Sequence, residues 1–227
     1  MANEMSRRSF LKKGAAAAIG MSVAPNVILG KNFGASPAPS KDKLKILGVG
    51  IGGRGASVLR GLESENIIGL CDVDWKYADH IFRRYPNAKK YNDYRKMYDE
   101  MLNEADAVMV ATADHTHALI AAEAIAAGKH VYVEKPLTHT VYESRLLTKL
   151  AAKHKVATQM GNQGASGEGV RKVCEWIWNG EIGEVTRVDA FTDRPIWPQG
   201  LARPEQIDKV PKTLNWESFI GPAPMRP

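Results

Sequence analysis

From residue 44 to residue 161 the chain keeps one rhythm, and that rhythm restricts its fold more than any other feature. Short apolar runs at 44–50 (LKILGVG), 66–73 (NIIGLCDV), 105–112 (ADAVMVAT), 129–135 (KHVYVEK) and 155–161 (KVATQMG) alternate with segments of helical periodicity. The runs are too short for buried helices and read as strands; the segments 56–62, 75–86, 94–102, 117–128 and 141–154 read as helices. Pro86 forces one helix to stop, and Gly128 supplies the left-handed end of another. Strands separated by helices are joined by crossovers, which gives an α/β fold: a doubly wound parallel sheet covered on both faces. A hydrophobic content of 44% against 25% charged residues is enough to fill such a core. No repeat of fixed period interrupts the pattern.

Near residue 165 the rhythm changes. Residues 167–183 (GEGVRKVCEWIWNGEIG) read as a helix ended by Gly180 and Gly183, and 184–195 (EVTRVDAFTDRP) alternate as an antiparallel strand with one wet face would. A Pro- and Trp-rich stretch follows, with one short helix around Trp216–Ile220. A single strand makes no sheet, so residues 166–227 are expected to begin a second α/β domain with an open antiparallel sheet, incomplete in this chain. Residues 1–38 form a leader and linker, and 43–165 the first domain.

The chemistry gathers at the ends of the strands. The first strand runs into Gly50-Ile51-Gly52-Gly53-Arg54-Gly55, a G-x-G-x-x-G between a strand and a helix. Gly50 permits the tight turn, Gly52 lets a pyrophosphate approach the backbone, and Gly55 lets helix and strand pack closely; the helix N-terminus offers free N–H groups to phosphate. Asp72 ends the next strand 22 residues beyond Gly50, where a carboxylate meets adenosine ribose hydroxyls. Together these mark a Rossmann dinucleotide site, with NAD favoured because Asp72 repels a 2′-phosphate, and NADP as the alternative. Asp74 reads as the N-cap of the helix at Trp75. Arg54 either touches the pyrophosphate or lies solvated.

A second cluster spans Thr112 to His117 and Glu134-Lys135-Pro136. The first is the loop leaving the strand at 105–112, at the carboxyl edge where ligands bind, with Asp114 placed to cap the next helix. His115 and His117 have no third ligand at metal spacing, so no metal is expected. Lys135 is either aimed by the backbone at the ligand edge or an ordinary strand-end lysine with its head in water.

Residues 6–12 (SRRSFLK) precede a short alanine-rich apolar run, and the order of basic region, apolar region and small-residue exit is that of an export signal. The run is too short and too polar to span a bilayer, which takes roughly 20 apolar residues, so no stable membrane anchor is expected. Each motif position, Ser6, Arg7, Arg8, Phe10, Leu11 and Lys12, resembles the twin-arginine consensus, which implies passage through the twin-arginine translocase and a periplasmic destination. Cleavage falls after Ala24 or near Ala38. These first 24 residues hold four basic groups and one acid, half of the net charge of +6. The rest of the chain intersperses its charges, which excludes a nucleic-acid footprint. Cys71 and Cys174 make neither a disulfide framework nor a CxxC pair.

The order GVGIGGRG, CDVD, TADHTHA, AGKHVYVEKPLTHTVYE resembles the Gfo/Idh/MocA oxidoreductase family over roughly residues 43–195. NWESFIGPAP is similar to a segment of exported sugar-acting members. The resemblance implies an NAD-binding domain followed by a substrate domain, and hydride transfer from a sugar, cyclitol or sugar derivative. It places Lys135 on the lysine that binds the reacting hydroxyl, and Glu134 beside it on cofactor or lysine. It places Thr112, Asp114 and His117 in a loop packing over the dinucleotide, with Ala113 where the family has proline, so a less rigid loop. Asn162 and Gln163 come near the nicotinamide. Arg194, Trp197 and Gln199 are either sugar contacts or parts of a packed loop. The family's catalytic histidine comes from its second domain, whereas all six histidines here lie at or before residue 154; the chain is therefore expected to be a piece of a longer, homo-oligomeric protein. Folded export would carry NAD along, and with no pool outside the cytoplasm the cofactor would be recycled in place. The rival outcomes are glycoside cleavage through a transient keto-sugar, and a nucleotide-binding module without catalysis.

Overall fold

The computed structural model describes residues 43–193 and 198–226. The leader, and with it the export motif, lies outside the described residues, as do Arg194 and Trp197. Six strands form one sheet: β1 (Lys45–Val49), β2 (Asn66–Cys71), β3 (Lys89–Tyr91), β4 (Ala107–Val110), β5 (His130–Glu134) and β6 (Thr158–Gly161). All neighbours pair parallel, in the order β3-β2-β1-β4-β5-β6. The reversal of direction outward from β1 puts a crevice at the carboxyl ends of β1 and β4, the place where open α/β sheets bind ligands.

Side chains along a strand alternate between faces, so each strand feeds two cores. Leu47 and Val49 of β1 join Val108 and Val110 on one face, while Ile46 and Met109 point to the other. The first face is covered by α3 (Tyr94–Met101), α4 (His117–Ala126) and α5 (Val141–His154), the second by α1 (Arg54–Gly61) and α2 (Trp75–Arg84). Leu59, Leu70, Met97, Ile120 and Ile125 are fully enclosed. The helix ends follow their sequences. Asp74 accepts from the amides of Lys76 and Tyr77, Asp93 from that of Arg95, and Thr140 with Glu143 closes a capping box on α5.

Two expectations change. β3 is an added strand: it is three residues long and opens with two exposed lysines, so it carries no apolar run to read. The antiparallel strand expected over 184–195 is not formed in its described part, 184–193. Alternation describes a strand packed on one side, and no described segment pairs with this one, so Val188 and Phe191 are 82% and 96% exposed. The helix before it does form, as α6 (Glu168–Trp178), and the short helix at the end is α7 (Trp216–Ile220). Among the described residues no helix is long and apolar enough to cross a membrane.

Candidate functional site

β1 delivers the chain into the glycine turn with Gly50 in the left-handed region at φ +77°, and a Cβ there would sit 2.6 Å from the carbonyl of Ala111 and the amide of Thr112. A Cβ on Gly55 would collide with the Gly50 carbonyl oxygen. Both glycines therefore do what the spacing required: they let α1 start directly against the ends of β1 and β4.

Asp72 follows β2 beside the glycine turn, where the sequence places it, and its carboxylate is already engaged there. Its Oδ2 accepts from the amides of Ile51 and Gly52, each at 2.9 Å, and its Oδ1 accepts from Asp74 N at 3.0 Å. The carboxylate thus braces the glycine turn, and the amides of Ile51 and Gly52, expected to face the phosphates, are taken by it. The Ile51 side chain is core. Left without an acceptor among the described residues are the amides of Gly53, Arg54 and Gly55, the start of α1, where the helix end favours an anion. Burial raises the Asp72 carboxyl above its ordinary value, against the pull of the three amide bonds. Tyr77, unforeseen in the sequence, lays its ring against Gly52 and its hydroxyl near Gly53, so the face expected to meet the pyrophosphate directly carries an aromatic side chain, itself 60% exposed.

Around this turn lies a cavity of about 620 Å³, within the size range of small-molecule sites, roughly 300–1,000 Å³. Val49, Gly50 and Gly53 form its floor, Asp72 and Asp74 one side, and Ala111, Thr112 and Ala113 the other. Asp93, Tyr94 and Arg95, at the start of α3 just after β3, also line it, and their nearness to the site was missed because β3, which brings them there, has no apolar signature. The one signal available was Asp93 itself, a capping residue just before a helical segment. Arg95 grips Asp93 with two parallel bonds, Nε to Oδ1 at 3.0 Å and Nη2 to Oδ2 at 2.8 Å, which holds the Asp93 carboxyl below its ordinary value.

The loop after β4 is braced rather than loose. Thr116 donates its hydroxyl to the Ala113 carbonyl and the Thr112 hydroxyl, both at 2.8 Å, and Ala113 already has φ −67°, the angle proline would impose. His117 does not face the dinucleotide space. It is 1% exposed, with Nδ1 2.7 Å from the Pro136 carbonyl oxygen and Nε2 3.1 Å from that of Thr112, so it ties the two loops together. Asp114 is exposed and caps nothing; Thr116 holds the N-cap position of α4 and makes no side-chain cap bond.

At the end of β5, Glu134 is buried and gathers three donors on Oε1: Arg54 Nε at 3.0 Å, Tyr132 Oη at 3.0 Å and Gln163 Nε2 at 3.2 Å. Burial, then Glu134, raises the Tyr132 phenol. Arg54 is thus partly solvated but not free: its guanidinium bridges the glycine turn to Glu134, the residue before Lys135. Lys135 is exposed, and its amine has no partner among the described residues; only its amide meets Glu134 Oε2, at 3.3 Å. Asn162 and Gln199 are exposed, and Gln163 serves Glu134.

The sheet order, the glycine turn and the carboxylate behind it define a dinucleotide-binding Rossmann domain. The model of the Gfo/Idh/MocA oxidoreductase family, described as its NAD-binding Rossmann fold, matches residues 43–162, and the chain belongs to that family. A glycosyl hydrolase family 109 protein of Shewanella baltica (strain OS155) is 27% identical over 94% of this chain, and one from Shewanella sp. (strain ANA-3) is 28% identical over the same share. The chain spans about half the length of these curated relatives, 50% in each case. Among solved structures, myo-inositol 2-dehydrogenase from Lactobacillus plantarum matches 63% of this chain and 43% of its own, with a TM-score of 0.58 and 22% identity. Scyllo-inositol dehydrogenase from Lactobacillus casei, with bound NAD(H) and scyllo-inositol, matches 64% and 44%, with a TM-score of 0.57 and 21% identity.

Proposed function

We propose that the protein containing this domain oxidises a hydroxyl-bearing carbon of a sugar, cyclitol or sugar derivative, using an NAD that stays in its site and is recycled there. The observation that carries the reading is Lys135, an amine with no partner among the described residues. It stands at the carboxyl end of β5, on a backbone that Glu134 and Arg54 fix to the glycine turn. The cradle formed by Gly50 and Gly55, and the unaccepted amides at the start of α1, suit a pyrophosphate. When bound, NAD supplies the hydride acceptor. Lys135 donates to the substrate oxygen and stabilises the alkoxide as the hydroxyl proton passes to water or to a base from the rest of the protein, an acid–base contribution of about 10²–10⁴-fold. His117 is engaged by two backbone carbonyls, so Lys135 is the group this part of the chain offers to the reacting hydroxyl.

The similarity to glycosyl hydrolase family 109 proteins favours a second outcome of the same first step. Oxidation of one ring carbon acidifies the neighbouring C–H; loss of that proton expels the glycosidic oxygen, water adds, and the hydride returns to the sugar. The net reaction is then glycoside hydrolysis with no change in redox state. Recycling in place also fits export: on this reading Ser6–Lys12 is a twin-arginine signal and the working compartment is the periplasm.

Full-length protein incubated with aryl glycosides and with free sugars, without added NAD, separates the outcomes. Aglycone release with no rise in NADH absorbance gives the hydrolytic form. A stoichiometric NADH rise with free sugar gives the oxidoreductase form. Absence of both from NAD-loaded protein, or full activity in Lys135→Ala, overturns the proposal.

A further inference from the structure

We propose that residues 213–222, which lie outside the segment matched by the family model, form the outer wall of the adenosine half of the dinucleotide site and hold the nucleotide in place. The inference rests on the NAD reading above and names the part of the chain that makes the cofactor slow to leave. One end of the segment joins the exit of β2. Asn215 N donates to Val73 O at 2.8 Å, Trp75 N donates to Thr213 O at 3.1 Å, and Leu214 pairs antiparallel with Asp74. The other end joins the loop after β4. His115 Nε2 lies 3.2 Å from the Phe219 carbonyl oxygen and 3.0 Å from that of Ile220, Ile220 is buried, and Gly221 lies against the Thr116 methyl.

Between these anchors the segment runs along the cavity and contributes Leu214, Ser218, Phe219, Gly221 and Pro222 to its lining, opposite Gly50 and Asp72. It ties together the two loops between which a Rossmann domain receives its nucleotide. A nucleotide seated there would be enclosed by chain on both sides.

The lining also selects the ligand. Leu119, Leu214 and Phe219 offer apolar surface to a flat base, while Asp72, Asp74, Asp93 and Glu217 surround it with carboxylates. Arg95 is the one cation among the described lining residues, and Asp93 already neutralises it. Carboxylates accept from ribose hydroxyls and repel phosphate, so the site takes an adenosine with a free 2′-hydroxyl, NAD rather than NADP.

Stopped-flow fluorescence of NADH leaving the full chain, chased with excess NAD, tests this in wild type, His115→Ala and Phe219→Ala. Each variant is checked for wild-type circular dichroism and melting. The expected result is release at least about tenfold faster in both variants, and no saturable NADPH binding. Unchanged release rates overturn the wall while leaving the NAD reading intact; a wild-type chain that takes up no NADH overturns both. If a variant does not fold, hydrogen exchange in wild type decides. Slower exchange of the Asn215 and Phe219 amides on adding NAD supports the wall, and unchanged exchange overturns it.

Discussion

Residues 184–193 and 213–222 both follow the family domain, yet the structure treats them oppositely. The first has a strand's alternating pattern and forms no strand; the second shows only a single short helix, Trp216–Ile220, and is fixed at both ends. Alternation states which side of a strand would be wet, but the strand's hydrogen bonds come from a neighbour. The later segment finds its neighbours in Val73, Trp75 and His115, groups already held by the sheet. What orders a segment here is the availability of anchored donors and acceptors, more than its own pattern.

The sharpest way to break this comparison is in the anchored half of the molecule. Gly55→Val drives side-chain atoms into the Gly50 carbonyl, and the expected outcome is loss of NAD binding with a fall in stability of more than about 4 kcal/mol; calorimetric titration and thermal melts check both. Leu59→Ala, at a fully enclosed position, is expected to cost about 2–5 kcal/mol in urea unfolding. Phe191→Ala, on the unpaired segment, is expected to stay within about 0.5 kcal/mol of wild type in the same assay. A large loss there would mean that residues 184–193 are packed after all.

Asn215→Ala removes the side chain that accepts from Ser218 N, and is expected to cost about 1 kcal/mol locally. Exchange of the α7 amides should accelerate while those of β1 stay unchanged. The pH dependence of Asp93 follows from its sign. Its folded carboxyl lies below the ordinary 3.8 because Arg95 bonds to it, so its contribution is present above that value and is lost as pH falls through the lower, folded value. Asp93→Asn keeps an oxygen for the cap and should flatten that part of an acid-unfolding curve. Ala113→Pro, at φ −67°, is expected to stabilise rather than weaken the fold, by a small gain of about 0.4–1 kcal/mol in thermal melts.

Much of the first domain was legible because its signals are local. Five apolar runs became strands, Pro86 and Gly128 ended their helices, Asp74 capped α2, and Gly50 and Gly55 took the roles their spacing required. What escaped was set by distant partners. Nothing near Asp72 in sequence says that its oxygens will be shared among the amides of residues 51, 52 and 74. Nothing near Arg54 announces Glu134, eighty positions away. His117 looked like a ligand-facing side chain because its loop borders the site, but its ring fits between two backbone carbonyls instead. β3 and the docking place of the 213–222 wall were hidden for the same reason: the lysines of β3 show no burial pattern, the helix at Trp216–Ile220 does not announce what it packs on, and both places depend on groups elsewhere in the fold.

The central claim is that this chain builds a site which retains its own dinucleotide. The most direct measurement is the nucleotide content of the purified, folded full chain after exhaustive dialysis, released by denaturation and separated by chromatography. The account predicts one NAD per chain, retained through dialysis and free of NADP. A folded chain that carries no nucleotide, and takes none up from millimolar NAD, would contradict it.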